Sequence, residues 1–470
     1  MRTRIRTTTT TERITTGGPK PRVGRTSTRR NGKVVTKVAG KVACAFFALA
    51  ALALVASPAR AEIPLVQYDG WRLSTDGRVN TFLSVGEGQG LPAGQPEYPG
   101  GAGGTADIAT STGDIHSSRI RNGFLMSILG FTGQKELSPN FKVTTRVGLW
   151  MNVTGSRTKN NVGQIDPREL YGKIEGHWGS LLAGSHLSLF GRGGILVDAD
   201  IAHDYGLGYP CAIKDASGGA CGMAGFGAPF PGFDPGFVYA TPSLGGLQVS
   251  VGIYDPAIIE NANLNRAPLP RVEGEVKFDL RQMLRLFVSG FWQTLEGTPA
   301  GGTKNLSVSA WGGQAGGMVA LGPILVGGAA FTGAGFAPIN YLEEGVISAD
   351  SEGVLRKASG GFGLGAVVID ALRLKIAGGA GVWQLQKTAN DPPEPTATMA
   401  TNPALIKQNL GLTGGLYQTT GPVHFTLEYF RAQHTWFDRG VASLNNPAVV
   451  SIVTPKQVVN FINVGMTVVW

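Results

Sequence analysis

The chain has 470 residues, of which 42% are hydrophobic and only 16% are charged, and its mean hydropathy is +0.05. This charged fraction lies well below the roughly 25% of soluble domains, and the several apolar runs of about 20 residues that a helical membrane protein needs are missing. A membrane-spanning barrel fits both facts, because it places apolar residues at every second position of its strands.

The formal net charge of +9 belongs to the N-terminal segment. Residues 1–61 contain 13 lysines and arginines and one acid, Glu12. The remaining chain therefore contains 28 basic and 31 acidic residues, a net charge of −3. The basic balance of the whole chain gives no argument for nucleic-acid binding, because it does not belong to the folded part.

Residues 1–61 are interpreted as a basic extension followed by a cleavable signal peptide. Met1–Arg30 is rich in threonine and arginine and has almost no apolar residues. Lysines then precede the apolar stretch Val42–Ala56, and an Ala-x-Ala pattern ends at Ala61, as in secretory signal peptides. A membrane anchor is the alternative, although the apolar stretch is short for a span. The mature protein is expected to be one outer-membrane domain, residues 62–470.

Alternation with a period of two begins after this segment. In Trp71–Val85 and Phe141–Val153, apolar residues and threonines alternate with mostly polar residues, and Leu247–Tyr254 and Val423–Phe430 follow a similar pattern. This is the period of a β-strand with one apolar and one polar face. It fits a barrel wall between lipid and a watery lumen, and it also fits a soluble sandwich.

Three features favour the membrane barrel. Many of the segments reach ten residues, the length that a tilted span requires (about 9–11). Short turns, such as those at Pro139 and Gly421, alternate with long polar connections, such as 86–117 and 438–454, as in barrels with short turns at one end. The last strand, Lys456–Trp470, ends the chain on an aromatic residue, the form in which outer-membrane barrels are presented to the barrel-assembly machinery.

The segment Gly191–Phe237 interrupts the alternation. It is rich in glycine and proline and has no lasting period. Structureless runs of this length are uncommon inside compact domains and are usually functional. Cys211 and Cys221 lie within it, and two cysteines in an exported protein favour a disulfide, with two free thiols as the alternative. We expect this segment to fold into the lumen as a constriction loop that sets what passes.

Three blocks of the sequence resemble the Gram-negative trimeric general porins. Arg119–Leu137 is similar to the second strand and turn of that family, Pro167–Leu187 to the fourth and fifth strands, and Phe237–Tyr254 to the segment after the constriction loop. The chain departs from the family at Trp470, where phenylalanine is usual. The resemblance implies a homotrimer of all-β, antiparallel barrels with about sixteen strands. Fourteen or eighteen strands stay open, because the glycine-rich stretch Asn305–Asp370 has poor boundaries.

The resemblance also implies that an acidic constriction loop faces basic side chains on the inner wall of the early strands. Opposed charges in a pore select ions, and charges inside a membrane are costly unless they face water or each other. Alternatively, the acids lie on a solvated outer loop and the arginines pair with neighbours. The excess of acids leads us to expect a weak preference for cations. The candidate acids are Asp198, Asp200, Asp204 and Asp215, and the candidate wall residues are Arg78, Arg121, Arg146 and Arg168.

No enzyme motif stands out in the sequence. The six histidines are scattered, and no His-Glu-x-x-His, Cys-x-x-Cys or nucleophile-elbow pattern occurs. We expect no catalysis, no metal and no cofactor. The leading interpretation is a water-filled channel in outer-membrane lipid for passive diffusion of ions and small hydrophilic solutes. The alternatives are a substrate-selective channel for sugars, carboxylates or amino acids, and a barrel plugged by its own loop with a structural or interaction role.

Overall fold

The computed structural model describes residues 62–95, 114–151, 165–211, 220–259, 262–280, 283–299, 301–337, 348–397, 399–442 and 450–470. The expected extension and signal peptide, residues 1–61, lie outside this part of the chain, as does Asp215.

Strands dominate the described residues, with a few short helical turns. Within that part of the chain, no helix has both the length and the apolar character to cross a membrane. The helical elements are α1 (Arg192–Asp198), a π-helical turn (Ala199–His203) and a 3-10 turn (Asp370–Leu372). The strands are β1 (Ile63–Tyr68), β2 (Trp71–Gly88), β3 (Ile115–Arg121), β4 (Ser127–Ser138), β5 (Phe141–Met151), β6 (Ile165–Gly176), β7 (Gly179–Leu187), β8 (Phe233–Ala240), β9 (Leu247–Tyr254), β10 (Arg271–Leu280), β11 (Leu284–Gly297), β12 (Leu306–Leu321), β13 (Ile324–Ala334), β14 (Lys357–Ile369), β15 (Leu374–Leu385), β16 (Ile406–Thr420), β17 (Val423–Trp436), β18 (Arg439–Ala442), β19 (Val450–Val453) and β20 (Lys456–Val469).

Sixteen strands close into an antiparallel barrel, which confirms the predicted fold class. Consecutive strands pair from β4 through to β17, and β20 closes the ring by pairing with both β17 and β2. β3 and β4 pair with successive parts of β2 and count as one wall strand. β1 pairs with the first residues of β2, and β18 and β19 form a separate hairpin. Closure gives each wall strand a hydrogen-bonded neighbour on both sides, as strands in lipid require.

Side-chain exposure alternates along the wall strands. In β9, Leu247, Val249, Val251 and Ile253 are exposed, whereas Ser250, Gly252 and Tyr254 on the other face are buried. The exposed apolar face is the one that meets lipid in a membrane barrel, and the opposite face lines the interior. The pattern read from the sequence therefore marks the two sides of the wall.

The turns at one end of the barrel are short, as predicted. Residues 139–140 join β4 to β5, residues 322–323 join β12 to β13, and residues 421–422 join β16 to β17. The long connections at the other end contain some order, because the predicted loop 438–454 includes the hairpin of β18 and β19. The predicted loop 86–117 is shorter than expected, since β2 continues to Gly88 and β3 begins at Ile115.

The segment that connects β7 to β8 covers residues 188–232, and we call it the inner segment. The sequence placed its end at Phe237, but β8 already begins at Phe233. Pro235 and Gly236 resemble loop residues, yet Pro235 pairs with Ser185 near the start of the strand, a position where proline is tolerated.

A buried ion pair joins two of the long connections. Arg356 and Asp391 form two hydrogen bonds of 2.5 and 2.9 Å, and the Thr388 amide also donates to Asp391 at 2.8 Å. Burial alone raises the pKa of Asp391, but the hydrogen bonds from Arg356 and Thr388 outweigh it and lower the pKa below its ordinary value. The ionised carboxylate therefore stabilises the folded connection.

This ion pair predicts that the two connections it joins become less ordered in acid. A carboxylate with a lowered folded pKa stabilises the fold above its unfolded pKa of about 4, and that contribution is lost as pH falls through the folded pKa. We expect protection of the Thr388 amide from hydrogen exchange, corrected for the intrinsic rate, to be constant above about pH 5 and to fall progressively as the pH is lowered from about 5 through the folded pKa. In Asp391→Asn, protection should be low and independent of pH. Equal pH dependence in both proteins would contradict the assignment.

Candidate functional site

The inner segment packs on buried side chains of the wall strands, opposite to their exposed apolar residues. Helix α1 packs on β11, β12 and β13. Its two glycines face wall side chains directly, Gly193 against Phe287 and Gly194 against Gln314. A Cβ atom at Gly194 would lie 2.5 Å from Gln314 Nε2. The pair Gly193-Gly194 therefore permits a close approach that larger residues would prevent.

An apolar core joins the inner segment to the wall. The Tyr209 and Phe226 rings lie 4.8 Å apart, and Phe430 of β17 lies 5.2 Å from Phe226. All three side chains are almost fully buried. The same core includes Phe190, Ile195, Val197, Ile201, Leu207 and Met223 of the inner segment, with Phe287, Phe291, Phe331, Phe362 and Phe461 of the wall.

Glycines of the wall make room for this core. A Cβ atom at Gly327 would lie 2.9 Å from Ile201 and 3.0 Å from Val197, and one at Gly411 would lie 2.8 Å from the Phe226 ring. The carbonyl oxygen of Phe226 fills the space where Gly381 lacks a side chain. The glycine content that obscured the strand boundaries in the sequence thus has a packing role.

Glu428 of β17 anchors the middle of the inner segment. Its carboxylate accepts hydrogen bonds from the Leu207 amide at 2.8 Å, the Gly208 amide at 3.0 Å and the Tyr417 hydroxyl at 2.8 Å. Gly206 packs directly against the same carboxylate. Sequence reasoning missed Glu428, although its position on the polar face of an alternating strand was visible.

A second buried polar group fixes the turn after α1. Asp198 and His203 are fully buried and joined by a 2.6 Å hydrogen bond, and Asp198 also accepts the Met223 amide at 2.8 Å. His203 Nε2 lies 3.2 Å from the Thr413 hydroxyl of β16. Burial alone lowers the pKa of His203, but Asp198 outweighs it and raises the pKa above its ordinary value. Asp198 thus links the turn to Met223 within the inner segment, and His203 links the turn to Thr413 of the wall.

Two acids of β10 anchor the start of the inner segment. Glu273 accepts the Phe190 amide at 2.8 Å, and Glu275 pairs with Arg192 at 2.5 Å. Both carboxylates are buried. The sequence carried a signal for them, since Arg271, Glu273 and Glu275 alternate on one face of a strand, but that face could not be assigned to the lumen.

The candidate acids do not form one open row. Asp200 pairs with Arg285 at 2.5 Å, and Asp204 pairs with Arg78 at 3.0 Å. Asp198 differs from its prediction, because it is buried within the inner segment and bonded to His203. Carboxylates at nearby positions therefore have different partners.

Three of the candidate arginines lie around one space. Arg78 contacts Asp204, Arg146 is paired with Asp76 and Glu169, and Arg168 donates to Asp166 at 2.7 Å. Arg121 differs from its prediction. It is only 4% exposed, and its guanidinium lies 3.5 Å from the Cys211 carbonyl oxygen, so it braces the inner segment.

The cysteines form the disulfide that the exported context favoured. Cys211 and Cys221 are bonded, with their Cα atoms 5.8 Å apart, and both are fully buried. The Cys221 amide donates to the Tyr209 carbonyl at 2.9 Å, and the Tyr209 amide donates to Gly222 at 3.1 Å. The bridge links the two segments that these hydrogen bonds join, a constraint worth about 2–3 kcal/mol for a short loop.

Two cavities remain between the inner segment and the opposite wall, and both contact Leu187 and Leu196. The first, of about 480 Å³, is the Arg168 cavity; its lining includes Asp76, Arg78, Phe124, Arg146, Trp150, Arg168, Glu169, Tyr205, Phe230, Phe233 and Trp470. The second, of about 510 Å³, is the Arg285 cavity; its lining includes Lys173, Arg192, Asp200, Glu275, Lys277, Asp279 and Arg285. Within the described residues, no cluster of histidine, cysteine and carboxylate side chains could hold a metal ion.

Comparison with protein families gives the decisive observation. The family model for Gram-negative porins matches residues 48–443. The chain belongs to the Gram-negative porin family. Membership of this porin family, together with the barrel, assigns the protein to the outer membrane as a channel. No curated protein matches the sequence significantly.

Solved structures with the same fold include two other outer-membrane channels. The outer membrane channel DcaP of Acinetobacter baumannii has a TM-score of 0.55 at 11% identity, covering 86% of this porin and 99% of that chain. An anion-selective porin from Comamonas acidovorans has a TM-score of 0.53 at 13% identity, covering 85% of this porin and 100% of that chain. At these identities the likeness concerns the fold.

Proposed function

We propose that this porin is a narrow channel for passive diffusion of ions and small hydrophilic solutes, with the inner segment folded into the lumen as its constriction. The observation that carries the proposal is the contact of the inner segment with interior-facing side chains of β10 to β17. Glu428, Glu273 and Glu275 hold the segment at separate points along that wall. A segment lying outside the barrel could not reach these carboxylates.

The remaining path follows the wall formed by β2 and β4 to β11. The Arg168 and Arg285 cavities lie on this side, and they meet at Leu187 and Leu196. Leu196 is 43% exposed, so it projects from α1 into open space. We infer that solutes pass from one cavity to the other beside Leu196, and that this point is the narrowest of the path.

The charges along this path favour anions slightly. Seven arginine and lysine side chains and five side-chain carboxylates line the two cavities. Asp204 pairs with Arg78, Asp200 pairs with Arg285, and Asp198 is buried, so the described part of the inner segment has no excess of free acids. We therefore propose a weak preference for anions in place of the cation preference inferred from acid content.

Reversal potentials in a planar bilayer test the proposal. Mature protein, residues 62–470, should conduct stably in KCl, and a salt gradient should give a small reversal potential of the sign for chloride selectivity. Lys277→Glu should shift that potential toward potassium, because Lys277 lines the Arg285 cavity. Lys456→Glu is the matched control at an exposed residue outside both cavities. Absence of conductance in folded protein would contradict the channel and support a plugged barrel.

A substrate-selective channel is the second candidate. It is favoured by the aromatic lining of the Arg168 cavity, which includes Phe124, Trp150, Tyr205, Phe230 and Phe233. Aromatic side chains are typical of sites that hold a particular small molecule. Saturable inhibition of the current by one class of solute would distinguish this candidate from simple diffusion.

Two further properties belong to the proposal. We propose that residues 1–61 contain a signal peptide cleaved after Ala61, which N-terminal sequencing of the mature protein would test.

We also propose a homotrimer. Conductance steps in multiples of three, together with a trimer mass in detergent, are the expected results.

A further inference from the structure

Arg168 presents an open guanidinium to the Arg168 cavity. Its Nε donates to Asp166 at 2.7 Å, and the described residues provide no acceptor for its two terminal amino groups. The guanidinium carbon lies 5.2 Å from the centre of the Trp150 ring and 5.6 Å from the centre of the Phe233 ring. These two contacts hold the guanidinium in place, and its free edge suits a flat, two-oxygen acceptor.

A second donor lies beside this guanidinium. Trp150 is 7% exposed, lines the same cavity, and its indole Nε1 has no hydrogen-bond partner among the described residues. A buried N–H without an acceptor is costly, and native proteins rarely leave one. This indole nitrogen is closed to solvent, so the open donors of the cavity are the terminal amino groups of Arg168.

The other charges of the cavity do not neutralise Arg168. Arg146 pairs with both Asp76 and Glu169, and its Nη2 lies 3.0 Å from Asp76 Oδ2. Arg78 pairs with Asp204. Among the described residues, Asp166 is the one carboxylate in contact with Arg168; it is half exposed and contacts the Nε edge. The edge with the two terminal amino groups keeps its positive charge toward the cavity.

The rest of the cavity is suited to an apolar ring. Phe124, Met126, Leu196, Phe230 and Trp470 contribute to its lining. Its volume of about 480 Å³ exceeds that of a single six-membered ring with a carboxylate. A solute with a charged end and a flat apolar body would thus meet matching chemistry at both ends.

We propose that the Arg168 cavity is a binding subsite for aromatic monocarboxylates. The carboxylate accepts hydrogen bonds from the terminal amino groups of Arg168, which the Trp150 ring holds in place, and the aromatic ring of the solute occupies the apolar part of the cavity. This inference rests on the proposed channel, because it assigns a solute class to the path. It narrows the second candidate function to one chemical group.

Benzoate is the probe for this subsite. Saturation-transfer NMR on the full mature protein in micelles should show saturable benzoate binding. Benzamide, which lacks the charge, and acetate, which lacks the ring, should bind much more weakly. Arg168→Lys should weaken benzoate binding roughly tenfold or more, because lysine keeps the charge but loses the two-donor edge. Trp150→Phe should weaken it by a smaller factor.

Two controls make the outcome decisive. Arg72→Lys changes an exposed arginine that pairs with Glu62 away from the cavity, and it should leave benzoate binding unchanged. KCl conductance of each variant, measured without benzoate, reports on the channel separately. Conductance without saturable benzoate binding overturns the subsite and keeps the channel. Binding of benzoate without conductance supports the subsite and overturns the channel. The subsite is also overturned if benzamide binds as tightly as benzoate, or if Arg168→Lys binds benzoate as tightly as wild type.

Discussion

Replacing Glu428 by alanine is expected to release the middle of the inner segment and to raise the single-channel conductance severalfold. The carboxylate accepts two backbone amides of the segment and the Tyr417 hydroxyl, all in a buried setting. Hydrogen bonds to a charged group contribute about 1.5–3 kcal/mol each, and the two amides would be left without partners. A loss of roughly 3–5 kcal/mol in the attachment of the segment follows.

The measurement is the distribution of conductance steps for Glu428→Ala and Glu428→Gln. Glutamine keeps one acceptor oxygen without the charge, so its conductance should lie between those of wild type and alanine. Glu136→Ala changes an exposed residue of β4 and serves as the control. If Glu428→Ala folds into a barrel and conducts as wild type does, the anchoring role of Glu428 is wrong.

Gly381→Val is expected to have the second large effect. A side chain at this position would meet the Phe226 carbonyl oxygen, and a Cβ atom would also lie 2.7 Å from Met223 and 2.8 Å from Phe362. A backbone atom cannot move aside as the end of a flexible side chain can. The substitution should therefore displace the aromatic core of the inner segment, with overpacking costing about 1–3 kcal/mol.

Gly363→Val, on the adjacent strand, is the matched control. No atom lies within 4 Å of a Cβ built at Gly363, and valine suits a strand. Thermal unfolding and current noise should change in Gly381→Val and remain near wild type in Gly363→Val. Equal effects of the two variants would show that the wall tolerates or rejects side chains for a reason other than contact with the inner segment.

The sequence predicts the wall well because alternation is local. Trp71–Val85 and Leu247–Tyr254 show their two faces directly, and the short turns follow from Pro139 and Gly421. Strand β8 began earlier than predicted because Pro235 and Gly236 are loop residues in most settings. The alternating pattern did not give the strand boundaries between Asn305 and Asp370, because glycines there make room for the inner segment, which is distant in sequence.

The candidate site was harder to predict because its partners are far apart in sequence. Asp198 and Asp204 both read as free loop acids, but Asp198 bonds to His203 and Asp204 to Arg78 of β2. Glu428 bonds to amides some 220 positions earlier. Such pairings follow from how the inner segment folds against the wall strands, and nothing in the local pattern determines that arrangement.

Hydrogen exchange of the folded porin tests the central claim most directly, because that claim is the position of the inner segment inside the barrel. The amides of Leu207 and Gly208 bond to Glu428, and the Met223 amide bonds to Asp198. Peptides from this segment should exchange as slowly as strands β11 to β17. Exchange as fast as that of the exposed connection 399–404 would contradict the account, since it would place the segment in water outside the wall.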